Sequence, residues 1–126
     1  TGGAYQMKGI LEALHGVMGV EGVLLSDLGG RVVASTFPQA YDPQNVAKVG
    51  YAFSLGVGML DAQGKHPEAI YATFEKGRLI VRPFEKGLVV VLGSDSLKPL
   101  LLKAALERAL NELAKLEFGK NISEGL

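Results

Sequence analysis

His15 and His66 are the only imidazoles in this sequence, and cysteine is absent. Thiolate nucleophiles, disulfides and cysteine-ligated zinc are therefore excluded together. Asp61, His66 and Glu68 place one nitrogen and two carboxylate donors in a single loop. With no second histidine close by in the chain, solvated loop residues are the simpler reading than a metal site. Ser26-Asp27 and Ser94-Asp95-Ser96 put hydroxyls beside carboxylates at strand ends, but without the glycine-flanked elbow that presents a nucleophilic serine. Turn and cap roles are expected of them. The glycines at 16, 19, 22, 56 and 58 are not followed by Gly-Lys-Ser/Thr after a strand, so they form no phosphate loop. Arg31, Arg78, Arg82 and Arg108 are read as solvated or salt-bridged side chains. No catalytic residue, cofactor or metal is nominated, and the chain is expected not to be an enzyme.

Bulk properties point the same way. Lys plus Arg and Asp plus Glu each number 13, so there is no net charge to hold nucleic acid or an anionic membrane. At 126 residues, 48% apolar and 21% charged, the chain has the composition of one folded domain with a single core. Its longest apolar runs, such as Leu88 to Leu92, are far too short to span a bilayer. A soluble protein of the reducing cytoplasm is expected.

The elements that would position any surface are marked by period and punctuation. Met7, Ile10, Leu11 and Leu14 recur at helical steps between Ala4 and His15, and Gly16 ends the pattern. Val20 to Ser26, the turn Asp27-Leu28-Gly29-Gly30 and Arg31 to Ser35 predict a hairpin whose glycines supply positive φ. Asp42-Pro43 opens a helix running to about Leu60. Three apolar stretches follow, Ala69 to Phe74, Leu79 to Pro83 and Leu88 to Gly93, separated by Glu-Lys-Gly turns, which predicts an antiparallel meander. Ser96 is expected to cap a last helix with Pro99 in its first turn. Leu102, Ala105, Leu106, Ala109, Leu110, Leu113 and Leu116 form its buried stripe, opposite a wet face of Arg108, Glu112 and Lys115.

The order is α-β-β-α-β-β-β-α, over a domain from 4 to 118 with flexible ends at 1–3 and 119–126. Gly22 to Leu25 and Leu88 to Leu92 are apolar at both parities, so both sides of those strands should be covered, and they are expected at the sheet centre. That calls for helices on both faces.

The middle helix has two apolar faces. Val46, Val49, Phe53, Val57 and Leu60 make one stripe, while Tyr51, Ala52, Leu55 and Met59, with Lys48 beside them, lie on the roughly opposite side. A sheet can cover one face only, so the second is expected to meet another chain. The alternative is that it sits under the loop from Asp61 to Pro67. Gly50, Gly56 and Gly58 each cost about 0.8–1 kcal/mol of helix propensity relative to Ala, which close backbone approach would offset. The strand Ala69 to Phe74 sets Ile70, Ala72 and Phe74 on one face and Tyr71 and Thr73 on the other. It has no proline or interior charge to block pairing with another strand if it is an edge.

The stretch GVEGVLLSDLGGRVVAS from Gly19 to Ser35, the helix after it, a meander ending in GLVVVLGSDS and a closing leucine-rich helix resemble the Roadblock/dynein-light-chain family over roughly Met7 to Leu116. The resemblance implies a profilin-like or longin-like α+β fold: a five-stranded antiparallel sheet with the first and last helices on one face and the middle helix on the other. It also implies homodimers, or heterodimers with a paralogue, joined through the middle helix and third strand. The partner and interface residues carried by that reading are Lys48, Tyr51, Ala52, Leu55, Met59, Ile70, Tyr71, Ala72, Thr73 and Phe74. Family roles include light chains of dynein and scaffolds or regulators of small Ras-like GTPases, and modulation of a partner's GTP hydrolysis is expected without a GTP site in this chain. The competing reading is a PAS- or GAF-like sensor domain, which would keep a ligand cavity between sheet and helix.

Overall fold

A computed structural model describes residues 2–29, 31–40, 69–75 and 77–117, together with positions 45, 48, 52, 55, 56 and 64. Its elements are α1 (Gly2–His15), β1 (Val20–Asp27), β2 (Val32–Ser35), β3 (Ile70–Phe74), β4 (Gly77–Phe84), β5 (Gly87–Gly93) and α2 (Pro99–Leu113). The fold is mixed α+β, and the strands form one antiparallel sheet in the order β2-β1-β5-β4-β3.

Cross-strand partners share a sheet face, so the register sorts the side chains into two layers. Val23 pairs with Val91, Leu25 with Val89, and Ile80 with Val91. These meet Met7, Leu11 and Leu14 of α1 and Leu102, Leu106, Leu110 and Leu113 of α2 in the larger core. The other face carries Leu24, Val81, Leu88 and Val90, each at most 2% exposed, with Val32, Phe37 and Leu79 packed around them. β1 and β5 thus lose solvent on both sides, as their unbroken apolar runs require.

α1 has the stripe expected of it, and its helical backbone reaches back to Gly2, two residues before the patterned segment. Gly16 N–H closes the last turn on Glu12 O at 3.1 Å. Gly19 then turns the chain into β1 at φ 91°, where any Cβ would lie 2.5 Å from the Leu97 backbone. Only glycine fits that crossing.

Two local expectations are corrected. Positive φ does not occur at Gly29, and Gly30 lies outside the described residues. The β1–β2 turn is held instead by Asp27, whose Oδ1 accepts from Gly29 N–H at 3.0 Å and Arg31 N–H at 2.9 Å. Such a carboxylate mimics a backbone turn. Ser96 does not cap α2 either. Lys98 holds the N-cap position without a side-chain bond, and Pro99 fixes the first helical residue. Pro99 pushes Lys98 into extended backbone, so the helix starts downstream of Ser96. The Ser96 hydroxyl instead lies 2.7 Å from that of Ser94.

Along α2, Leu102, Leu106, Ala109, Leu110 and Leu113 are buried, while Ala105 and Leu116 are half-buried at the margin. Arg108, Glu112 and Lys115 are all exposed, as expected, although the helix ends at Leu113 and Lys115 and Leu116 follow it. Most of the segment from Pro43 to Leu60, its Asp42 cap, the Asp61–His66–Glu68 cluster and residues 119–126 lie outside the described residues. Asn45, Lys48, Ala52, Leu55 and Gly56 carry helical backbone.

Candidate functional site

β3 ends the strand order, hydrogen-bonded to β4 alone through the pairs Ile70↔Val81, Tyr71↔Ile80, Ala72↔Leu79, Thr73↔Arg78 and Phe74↔Gly77. Among the described residues its other edge has no strand beside it. Antiparallel neighbours share a face, so Tyr71 and Thr73, paired with Ile80 and Arg78, stand on the side of α1 and α2. Tyr71 is 71% exposed and Thr73 is exposed too.

Asn45, Lys48, Ala52 and Leu55 follow at steps of three, four and three residues, which aligns them on one side of a helix. All four are exposed, and Leu55 is 51% exposed. The line Lys48, Ala52, Leu55 is thus an outward helix face. Tyr51 and Met59, expected on the same side, lie outside the described residues.

The residues that suggested chemistry are occupied with structure. His15 Nδ1 lies 2.8 Å from Thr36 Oγ1, which also accepts from Val23 N–H at 3.0 Å. The end of α1 is thereby tied to the sheet. Ser26 is fully buried, and its hydroxyl donates to the Asp27 carbonyl at 2.8 Å. Arg31 pairs with Asp27 at 3.3 Å and Arg82 with Glu107 at 2.9 Å, the salt-bridged roles expected of them. No group of three or more His, Asp or Glu that could hold a metal occurs among the described residues.

One feature escaped the sequence reading. Between β4, β3 and the first half of α2 lies a cleft of about 440 Å³. Arg78 and Arg82 line it from β4 and Lys103 from α2. Lys103 was not singled out, because nothing in a single sequence brings a helix lysine opposite a strand arginine.

Comparison with known proteins gives one consistent answer. No protein-family model matches the sequence, and no curated protein does so. Among solved structures, the gliding protein MglB from Thermus thermophilus superposes with a TM-score of 0.75 at 21% identity, over 91% of each chain. An MglB with tetrameric arrangement gives 0.76 at 18% identity, over 91% of this chain and 90% of that one. A Roadblock/LC7 domain from Streptomyces avermitilis gives 0.70 at 14% identity, over 85% and 93%. The fold is a Roadblock fold. Within this Roadblock fold, the described surface combines an exposed helix face carrying Lys48, Ala52 and Leu55 with a strand edge that has no described strand beside it.

Proposed function

We propose that this domain, residues 4–118, is a non-catalytic, self-associating regulatory scaffold of the cytoplasm that binds a small Ras-like GTPase and modulates its GTP hydrolysis. The helix bearing Lys48, Tyr51, Ala52, Leu55 and Met59 would lie on the face of Leu24, Val81 and Val90, completing helices on both sides of the sheet. Two copies would then join through that helix and through Ile70, Tyr71, Ala72, Thr73 and Phe74 of β3, giving a sheet continuous across both subunits.

The observation that carries this reading is the pairing of a β3 edge with no strand beside it among the described residues and an outward face on which Leu55 is half in solvent. A flat edge free of proline and of charge is a template for another strand, and monomeric proteins usually block such edges. The tetrameric arrangement of one MglB supports assembly between copies. The GTPase partner follows from the family resemblance, and the neutral overall charge disfavours nucleic acid as a partner. Against the sensor reading, Leu25, Val89 and Val91 at the sheet centre are fully buried against α1 and α2, and the cleft beside β4 lies toward the sheet margin.

Light scattering tests self-association. The wild-type chain should have the mass of a dimer or larger assembly, and Leu55→Glu with Met59→Glu should leave a folded monomer, because like charges oppose burial in an interface. A monomeric wild type at micromolar concentration would remove the basis of the proposal. For the partner, immobilised chain should retain a Ras-like GTPase in one nucleotide state, GTP analogue or GDP, in preference to the other. Retention of neither form would count against GTPase regulation while leaving assembly intact.

A further inference from the structure

The geometry points to the cleft between β4 and the first half of α2 as a binding site for a small amphipathic anion, a carboxylate or sulfonate joined to an apolar body. Its volume, about 440 Å³, falls within the range of small-molecule sites, roughly 300–1,000 Å³. Leu97, Leu102 and Leu106 on the α2 side and Ile80 on β4 line it, each no more than 6% exposed. These side chains belong to the core and form the floor of the cleft, while Tyr71 and Pro99, both exposed, add apolar surface at its rim from which a bound apolar body would displace water.

Charge selects the other half of the ligand. The ionised side chains lining the cleft are Arg78, Arg82 and Lys103, and none is acidic. Arg82 is matched by Glu107 at 2.9 Å. Among the described residues neither Arg78 nor Lys103 forms an ion pair. Two cations with no described ion-pair partner therefore border the cleft in a protein of zero net charge. Arg78 is half-buried on β4, so its guanidinium is partly withdrawn from water, and its planar fork of N–H donors matches a carboxylate. Lys103 is exposed on α2 and adds a point charge from the opposite wall. A neutral apolar molecule would leave both cations without a counter-charge, and a cation would be repelled. This site goes beyond the scaffold reading: Tyr71 and Thr73 at its rim belong to the proposed association surface, whereas Arg78, Lys103, Leu102 and Leu106, which the test addresses, do not.

The test titrates the full chain with the fluorescent anion 1-anilinonaphthalene-8-sulfonate, using decanoate and decyltrimethylammonium as competitors of opposite charge. One saturable site per chain is expected, displaced by decanoate and not by the cation. Arg78→Gln with Lys103→Gln should weaken binding by roughly tenfold or more, the scale of a lost charge-assisted hydrogen bond, with the circular dichroism spectrum unchanged. Lys103→Glu alone alters only an exposed helix position and should weaken binding in the same direction, so the proposal stays testable if the double variant misfolds. Absence of saturable binding, unchanged affinity in these variants, or equal displacement by the cation overturns it. So does a set of amide chemical-shift changes away from Ile80, Leu102 and Leu106.

Discussion

β5 and β3 are both short, uncharged strands rich in apolar residues, Gly-Leu-Val-Val-Val-Leu-Gly and Ile-Tyr-Ala-Thr-Phe, yet they end in opposite environments. β5 lies at the centre of the sheet, with Val89, Val90 and Val91 fully buried on alternating faces. β3 lies at the rim, with Tyr71 in solvent and one backbone edge unpaired among the described residues. Composition does not separate them. Their side-chain order does: aliphatic from Leu88 to Leu92 in β5, and a polar-capped Tyr and Thr alternating with apolar residues in β3. An element buried on both faces carries stability, while one left open at an edge is available for recognition.

That contrast can be broken most directly at the centre. Val90→Asp places a carboxylate where the side chain is wholly buried and its cross-strand partner is Val81, so it should cost more than about 4 kcal/mol and abolish the cooperative urea transition. A folded, soluble variant would mean that the second face is wetter than its burial indicates. Leu25→Ala, also at full burial on β1, should lower stability by about 2–5 kcal/mol in the same assay through the cavity it leaves.

Smaller effects sharpen the comparison. Asp27→Ala removes two acceptor bonds to the turn and a partly exposed ion pair with Arg31, and should cost on the order of 1 kcal/mol. A loss as large as that of Leu25→Ala would show that the hairpin turn is as stabilising as the sheet centre. Tyr71→Lys at the rim should change the folding stability of the isolated chain by no more than about 0.5 kcal/mol. Its effect should appear as a lower solution mass, because a charged edge resists strand pairing. If instead it destabilises the monomer and leaves the mass unchanged, β3 is a structural strand and the association surface lies elsewhere.

Much of this was readable from residue order. The hairpin, the meander and the last helix follow from local patterns: period two in strands, period 3.6 in helices, and Gly or Pro where the backbone must turn. The central placement of β1 and β5 was readable too, since an unbroken run of Val and Leu makes sense only when two layers cover it. Local reasoning failed where two signals compete over a few residues. Ser96 resembled a cap, but Pro99 decided the start of α2. Positive φ was expected of the β1–β2 glycines and does not occur at Gly29, whereas Asp27, for which a turn role was expected, satisfies the turn's N–H groups.

What the sequence determined by itself, then, was the kind and order of elements and the apolar faces they must hide, because periodicity is a property of neighbours along the chain. Tertiary structure alone decided that Arg82 reaches Glu107 and that Arg78 and Lys103 border one cleft. Those relations join residues 25 apart in sequence, and their geometry depends on strand register and on how far α2 extends across the sheet, which no local pattern encodes.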